Sequence, residues 1–263
     1  MTRPVPIICL AHGSRHPQAD QAVVEIAERI AESTGVPAFA AFLDFHPATL
    51  ATVAHRVVAA GYTEAVVVPL LFTRAFHARH DVPAAIAEAA ESIDATSSAS
   101  LTLHLADGLG TGADMEELVA DFTTRYLAEI TAAPANAESA VHAANAANAA
   151  SAGASIDKLA LYSVGSSQPG ANEAVAEFAE RVGARLNMRT TRSFVATGEH
   201  PGRDTNALLD FADERTVTVP LFVSPGLLWD RAKDRMPSGR TCTRHLGAAV
   251  APVVISRACC ALP

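Results

Sequence analysis

Three histidines, a carboxylate and a set of arginines stand where apolar, β-branched runs of the chain give way to polar loops. His12 follows the run 5–11, Asp44 closes the run 38–44, and His77 and His80 lie in the loop 72–83 after Val66, Val67 and Val68. A histidine with its ordinary pKa of about 6.5 is mostly neutral near pH 7, so it can ligate a cation or accept a proton. Two imidazoles and a carboxylate converging on one cleft suit a divalent first-row metal, and the same imidazoles suit proton uptake. Arg15, Arg74 and Arg79 lie in the same loops, and a guanidinium grips a carboxylate through two parallel hydrogen bonds. Ser14, next to Gly13, adds a hydroxyl and a backbone N–H where an anion could sit at the start of a helix.

The elements that must bring these residues together follow from the apolar pattern. Short β-branched runs alternate with Ala/Glu-rich amphipathic stretches, the pattern of parallel sheets covered by helices. Strands are predicted near 5–11, 38–44, 65–71 and 100–105, with helices near 18–34, 48–60, 83–94 and 114–130. The second half repeats the theme, with strands near 158–164, 190–196, 216–223 and 249–255. In such sheets ligands bind beyond the carboxyl ends of the strands, which is where His12, Asp44 and His77 fall.

An internal repeat sets the domain organisation. His12-Gly13-Ser14-Arg15 and the residues after it align with Val164-Gly165-Ser166-Ser167 at an offset of 152, and Phe42 meets Phe194 at the same offset. Val68-Pro69-Leu70 meets Val219-Pro220-Leu221 at 151. The expected domains are an α/β lobe over 1–130 that carries the site, an Ala-rich linker over 131–156, and a degenerate second lobe over 157–263. In this register His12 maps onto Val164, Asp44 onto Ala196 and His77 onto Leu228. All three polar groups become apolar while the Gly, Ser and Pro framework persists, as expected of one site on two lobes. The loop 222–229 is apolar where its first-lobe counterpart is basic, and Trp229, the only tryptophan, either stacks on a ligand there or packs in the interior.

Composition removes several classes of function. The chain has 263 residues with 20 basic and 28 acidic side chains, a formal charge of −8, so a general nucleic-acid binder, which needs a basic face, is not expected. No apolar run is long enough for a membrane span, and no Walker A or dinucleotide-binding glycine motif occurs. The four cysteines Cys9, Cys242, Cys259 and Cys260 lack the spacing of a zinc site, a disulfide framework or an iron–sulfur centre. With no secretory leader recognised, the reading is a cytoplasmic protein. That also disfavours a two-lobe binding protein of periplasmic type.

Leu10-Ala11-His12-Gly13-Ser14-Arg15 resembles the GHGSR signature of the class II chelatases, the sirohydrochlorin chelatases. Val68-Pro69-Leu70-Leu71-Phe72, followed by His77 and Asp81-Val82-Pro83, is similar to their second signature, and Ala41-Phe42-Leu43-Asp44 looks like their FLE segment. The resemblance implies two similar parallel-sheet α/β lobes facing each other across a cleft, and insertion of Fe²⁺ into sirohydrochlorin to form sirohaem. Alternatives are insertion of Co²⁺ for cobalamin synthesis and a non-catalytic metal or tetrapyrrole carrier. It implies that His12 and His77 bind the metal and accept the pyrrole protons, with Asp44 as a further ligand. Ser14, Arg15, Arg74 and Arg79 would hold the substrate carboxylates. No cofactor is expected beyond the divalent metal that is itself a substrate, and the expected state is a monomer with two internal lobes. Three departures from the family pattern stand out: Asp44 in place of Glu, a segment Phe45-His46-Pro47 one residue shorter than usual, and Phe76 in place of a small residue.

Overall fold

The computed structural model describes residues 3–73, 80–96, 100–132, 155–198 and 200–262. The first half builds β1 (Ile7–Ala11), α1 (Ala19–Thr34), β2 (Ala38–Phe42), α2 (Leu50–Ala59), β3 (Glu64–Pro69), α3 (Val82–Thr96), β4 (Thr102–Leu105) and α4 (Ala113–Ala132). The second half builds β5 (Lys158–Ser163), α5 (Ala171–Arg185), β6 (Thr190–Val195), α6 (Thr205–Phe211), β7 (Thr216–Pro220), α7 (Leu227–Asp234) and β8 (Thr241–Cys242). A 3-10 turn (Gly247–Val250) then leads into α8 (Ala251–Ala261). The strands form two four-stranded parallel sheets, β2-β1-β3-β4 and β6-β5-β7-β8, with the same strand order. Both α/β lobes expected from the repeat are therefore present.

Alternation along the strands explains why each sheet is covered on both sides. Ile8, Leu10, Ala65 and Val67 join a core with Leu50, Val53 and Val57 of α2 and Ala89 and Ile93 of α3. Ile7, Cys9, Val66 and Val68 are also buried and, with side chains alternating along a strand, turn to the opposite face, where α1 and α8 pack. Local signals stop and start the helices. Gly35 caps α1 in the left-handed conformation, its N–H bonding to Ala31 O, while the Thr49 side chain accepts from Thr52 N at the start of α2. Burial of the Cys9 thiol pushes its pKa up to about 12, and burial of Cys242 pushes that thiol to about 11, so neither is a ready thiolate.

The compact units do not follow the boundaries at 130 and 157. One comprises Met1–Gly110, Val223–Gly226 and Gly247–Pro263, and the other Thr111–Phe222 and Leu227–Leu246. Helix α4, expected to close the first lobe, packs on α5, where Arg181 and Arg185 both pair with Glu116 at 3.1 Å. The C-terminal helix instead packs on α1 and β3, and Arg257 donates to Gly108 O and Leu109 O at 3.0 Å each. The two helices that follow the fourth strands have thus exchanged sheets. Of the expected linker, residues 133–154 lie outside the described residues.

The strand expected near 249–255 is a helix, and the fourth strand of the second sheet is the short β8. The β-branched run Val253-Val254-Ile255 imitates a strand. However, Pro252 sits in the first turn of α8, where its missing N–H costs nothing, and Ala251, Val253, Val254 and Ala258 are buried. Each buried Val is worth roughly 1.5–3 kcal/mol against a total stability of about 5–15 kcal/mol for an ordinary domain. A chain ending at Leu246 is therefore expected to lose cooperative urea unfolding of the first unit. A single sharp transition at the full-length midpoint would show that α8 is dispensable.

Candidate functional site

In the first sheet the crossover through α1 leads to β2 on one side of β1, and the crossover through α2 leads to β3 on the other. The carboxyl ends of β1 and β3 therefore flank the topological switch point, where α/β sheets of this kind hold their ligands. His12 is the first residue after β1, and His77 falls in sequence between β3 and α3, outside the described residues. Asp44 stands two residues beyond β2.

The β1 and β2 exits are latched together by backbone. Leu43 N donates to Ala11 O and Asp44 N to His12 O, both at 2.9 Å. Gly13, at φ +94°, lies so close to this crossing that a Cβ there would sit 1.9 Å from Asp44 O. His12 is half-buried, while Asp44 is exposed and its Oδ1 accepts from Phe45 N at 2.8 Å. Phe45 follows in the left-handed region, φ +62°. Behind them His46 braces the loop: Ala48 N donates to its Nδ1 at 3.0 Å, its ring packs on Phe42 at 4.3 Å, and its Nε2 faces Asp20 Oδ2 at 3.8 Å.

The second lobe has the same latch without the ionisable groups. Ala196 N donates to Ser163 O and Thr197 N to Val164 O, both at 2.9 Å, and Gly165 at φ +91° crowds Thr197 O. Ala11 pairs with Phe42 and Ser163 with Val195, so Phe42 corresponds to Val195 rather than Phe194. Asp44 therefore corresponds to Thr197 rather than Ala196. The one-residue shift arises in the stretch between the first two strands, where the sequence alignment had assumed a constant offset. The asymmetry survives in sharper form. Val164, 44% exposed, replaces His12, and a hydroxyl replaces the carboxylate.

The remaining expected site residues divide into two groups. Arg15 is exposed and its guanidinium lies 4.9 Å from the Phe45 ring centroid. Ser14 Oγ accepts from His16 N at 3.1 Å, shaping the turn into α1, as Ser166 Oγ does for Gln168 N. Arg74, His77 and Arg79 lie outside the described residues. Among the described residues no three His, Cys, Asp or Glu side chains form a metal cluster. The expected ligand set of His12, Asp44 and His77 includes one residue beyond them.

Several polar residues gain a purpose that spacing did not reveal. His55 Nε2 meets Ser92 Oγ and His104 Nε2 meets Glu64 Oε2, both at 2.9 Å, and His46 supports the β2 exit. The partners of two of them are distant in sequence: His55 and Ser92 are 37 residues apart, and His104 and Glu64 are 40 apart. Trp229 resolves to interior packing. It is 5% exposed, begins no apolar wall but lies in α7, and packs 5.7 Å from Tyr162. A cavity of about 650 Å³ in the second lobe lies at the amino ends of β5 and β6, lined by Lys158, Arg189 and Arg215 among others. Lys158 there is already paired with Asp213 and Arg215 with Asp157. No helix among the described residues is long and apolar enough to cross a membrane.

Residues 6–126 match the family model described as CbiX, the stretch that holds the switch-point residues. A sirohydrochlorin cobaltochelatase of Saccharolobus solfataricus is 32% identical over 77 residues, which cover 29% of this chain and 59% of that relative. Among solved structures, SirB from Bacillus subtilis with Fe³⁺ superposes with a TM-score of 0.67 at 20% identity, covering 97% of this chain and 94% of that one. The sirohydrochlorin chelatase SirB from Bacillus subtilis subspecies spizizenii in complex with cobalt gives 0.66 at 20% identity with the same coverage. The first half of the chain thus matches the CbiX family model, and its whole length shares the fold of the two SirB structures.

Proposed function

We propose that the protein inserts a divalent metal, Fe²⁺, into sirohydrochlorin, at a site built on the first sheet. The observation that carries this reading is the placement of His12 and Asp44 on one latched pair of loops at the switch point, inside the stretch that matches the family model. Metal insertion exchanges two pyrrole N–H protons for one M²⁺. Neutral imidazole at His12 and His77 supplies both a ligand for the incoming ion and a base for the departing protons, and the Asp44 carboxylate adds an oxygen donor. The substrate is a polycarboxylate, and the net charge of −8 repels it at long range. Arg15, with Arg74 and Arg79 on the loop after β3, gives the site the local positive charge that binding requires.

A second reading, insertion of Co²⁺, is favoured by the cobaltochelatase that this chain matches at 32% identity. Ligand softness does not separate the two ions at an imidazole and carboxylate site. The experiment follows the macrocycle absorption spectrum of sirohydrochlorin mixed anaerobically with Fe²⁺ or Co²⁺, with and without the protein. A faster spectral change with protein is the expected result, larger for Fe²⁺. Equal rates with and without protein would refute the enzyme and leave a carrier, whereas faster Co²⁺ turnover would reverse the choice of metal.

A further inference from the structure

The most unusual backbone near the site belongs to Phe45. It adopts φ +62°, a region that bulky L-residues rarely enter, and its side chain is 48% exposed. Exposed placement means that burial of the ring does not offset the strain. Two groups instead converge on the ring: the Arg15 guanidinium, 4.9 Å from its centroid, and the His12 imidazole, at 6.4 Å between centroids with an interplanar angle of 31°. Both distances lie within the range of attractive cation–π and ring–ring contacts. The Asp44 carboxylate holds the turn by accepting from Phe45 N. A residue kept in a strained conformation, exposed, and touching a cation and an imidazole at a strand end has the pattern of strain retained for function.

We propose that Phe45 is a positioning residue for the tetrapyrrole: its ring holds the Arg15 fork beside His12, so that a substrate carboxylate is gripped with the macrocycle edge against the imidazole. This rests on the functional reading above and extends it by naming what fixes the substrate relative to the base. An unsupported arginine at an exposed position samples many rotamers and loses that freedom on binding. Stacked on Phe45, its fork is already in place. The role belongs to this chain's short Phe45-His46-Pro47 segment, whose left-handed turn carries the ring to the β1 exit. In the second lobe Thr197 is followed by Gly198 at φ +88°. The corresponding turn there is kept by a residue without strain and without a ring.

The test separates position from fold. Glycine at 45 relieves the left-handed strain, so Phe45→Gly is expected to unfold at the same or a higher temperature than the wild type. Its affinity for metal-free sirohydrochlorin, measured by titration of the macrocycle absorption, is expected to fall about tenfold. Phe45→Tyr restores binding to within about threefold, and Phe45→Gly combined with Arg15→Ala binds no more weakly than Arg15→Ala alone. Phe45→Gly binding as tightly as wild type, a sharp fall in its unfolding temperature, or losses that multiply in the double variant would each overturn the proposal. Failure of the wild type to bind sirohydrochlorin at all would overturn the functional reading, and this proposal with it. Wild-type binding with an unaffected Phe45→Gly overturns this proposal alone.

Discussion

His12→Ala is expected to lower the rate of protein-assisted metal insertion about a hundredfold or more, the usual scale for loss of a positioned acid–base group. The unfolding midpoint should stay close to that of the wild type. The latch between the two exits survives this substitution because it uses the His12 backbone: the carbonyl accepts from Asp44 N, and alanine retains that carbonyl. His77→Ala is expected to be similarly damaging. The control lies in the second lobe, where Val164→Ala and Leu228→Ala alter the repeat-related positions and should leave most of the activity. Stopped-flow absorbance with a urea titration of each variant makes the comparison. Equal losses from His77→Ala and Leu228→Ala would mean that the two lobes share the chemistry, contrary to the asymmetry between His12 and Val164.

The second large effect is expected at Gly13. A Cβ added there would lie 1.9 Å from Asp44 O and 2.9 Å from Asp44 C, with the backbone at φ +94°. Both obstacles are backbone atoms of a latched crossing, so neither yields by a side-chain rotation. Gly13→Ala is expected to cost roughly 2–4 kcal/mol and to abolish activity by separating the exits that carry His12 and Asp44. Gly35→Ala provides the reference. That glycine also has positive φ, +69°, but nothing lies within 4 Å of the added atom. It should therefore cost only the conformational penalty of about 1 kcal/mol. A Gly13→Ala loss no larger than that of Gly35→Ala, measured by urea denaturation, would show that the latch can yield.

Much of the architecture was legible because it is written in short-range periodicity. The strands around Cys9, Val67 and Leu161 are apolar on both faces, as strands covered by helices must be. The run Val23, Ile26, Ala27, Ile30 makes the buried stripe of α1. The two HGS/VGS segments announced the repeat, and the two sheets have the same strand order. The last strand misled because Val253, Val254 and Ile255 suit either state. Pro252 and the surface available on the first unit decided for a helix. The alignment of Asp44 with Ala196 failed by a single residue for a related reason. Register is set by hydrogen bonding between strands, and a constant offset in sequence ignores a change in the length of what connects them.

By itself the sequence determined that this is a two-lobed parallel α/β protein with His12 and Asp44 just beyond the first two strands of its first lobe. Local propensity, alternation and motif spacing act over a few residues and need no knowledge of the rest of the chain. Tertiary structure decided which sheet each of α4 and α8 covers, that Trp229 is interior packing, and that Asp44 answers to Thr197. It also decided that Phe45 turns left-handed to meet Arg15 and His12. Each depends on residues distant in sequence competing for the same surface or the same hydrogen bonds. That competition is resolved only when the whole chain packs.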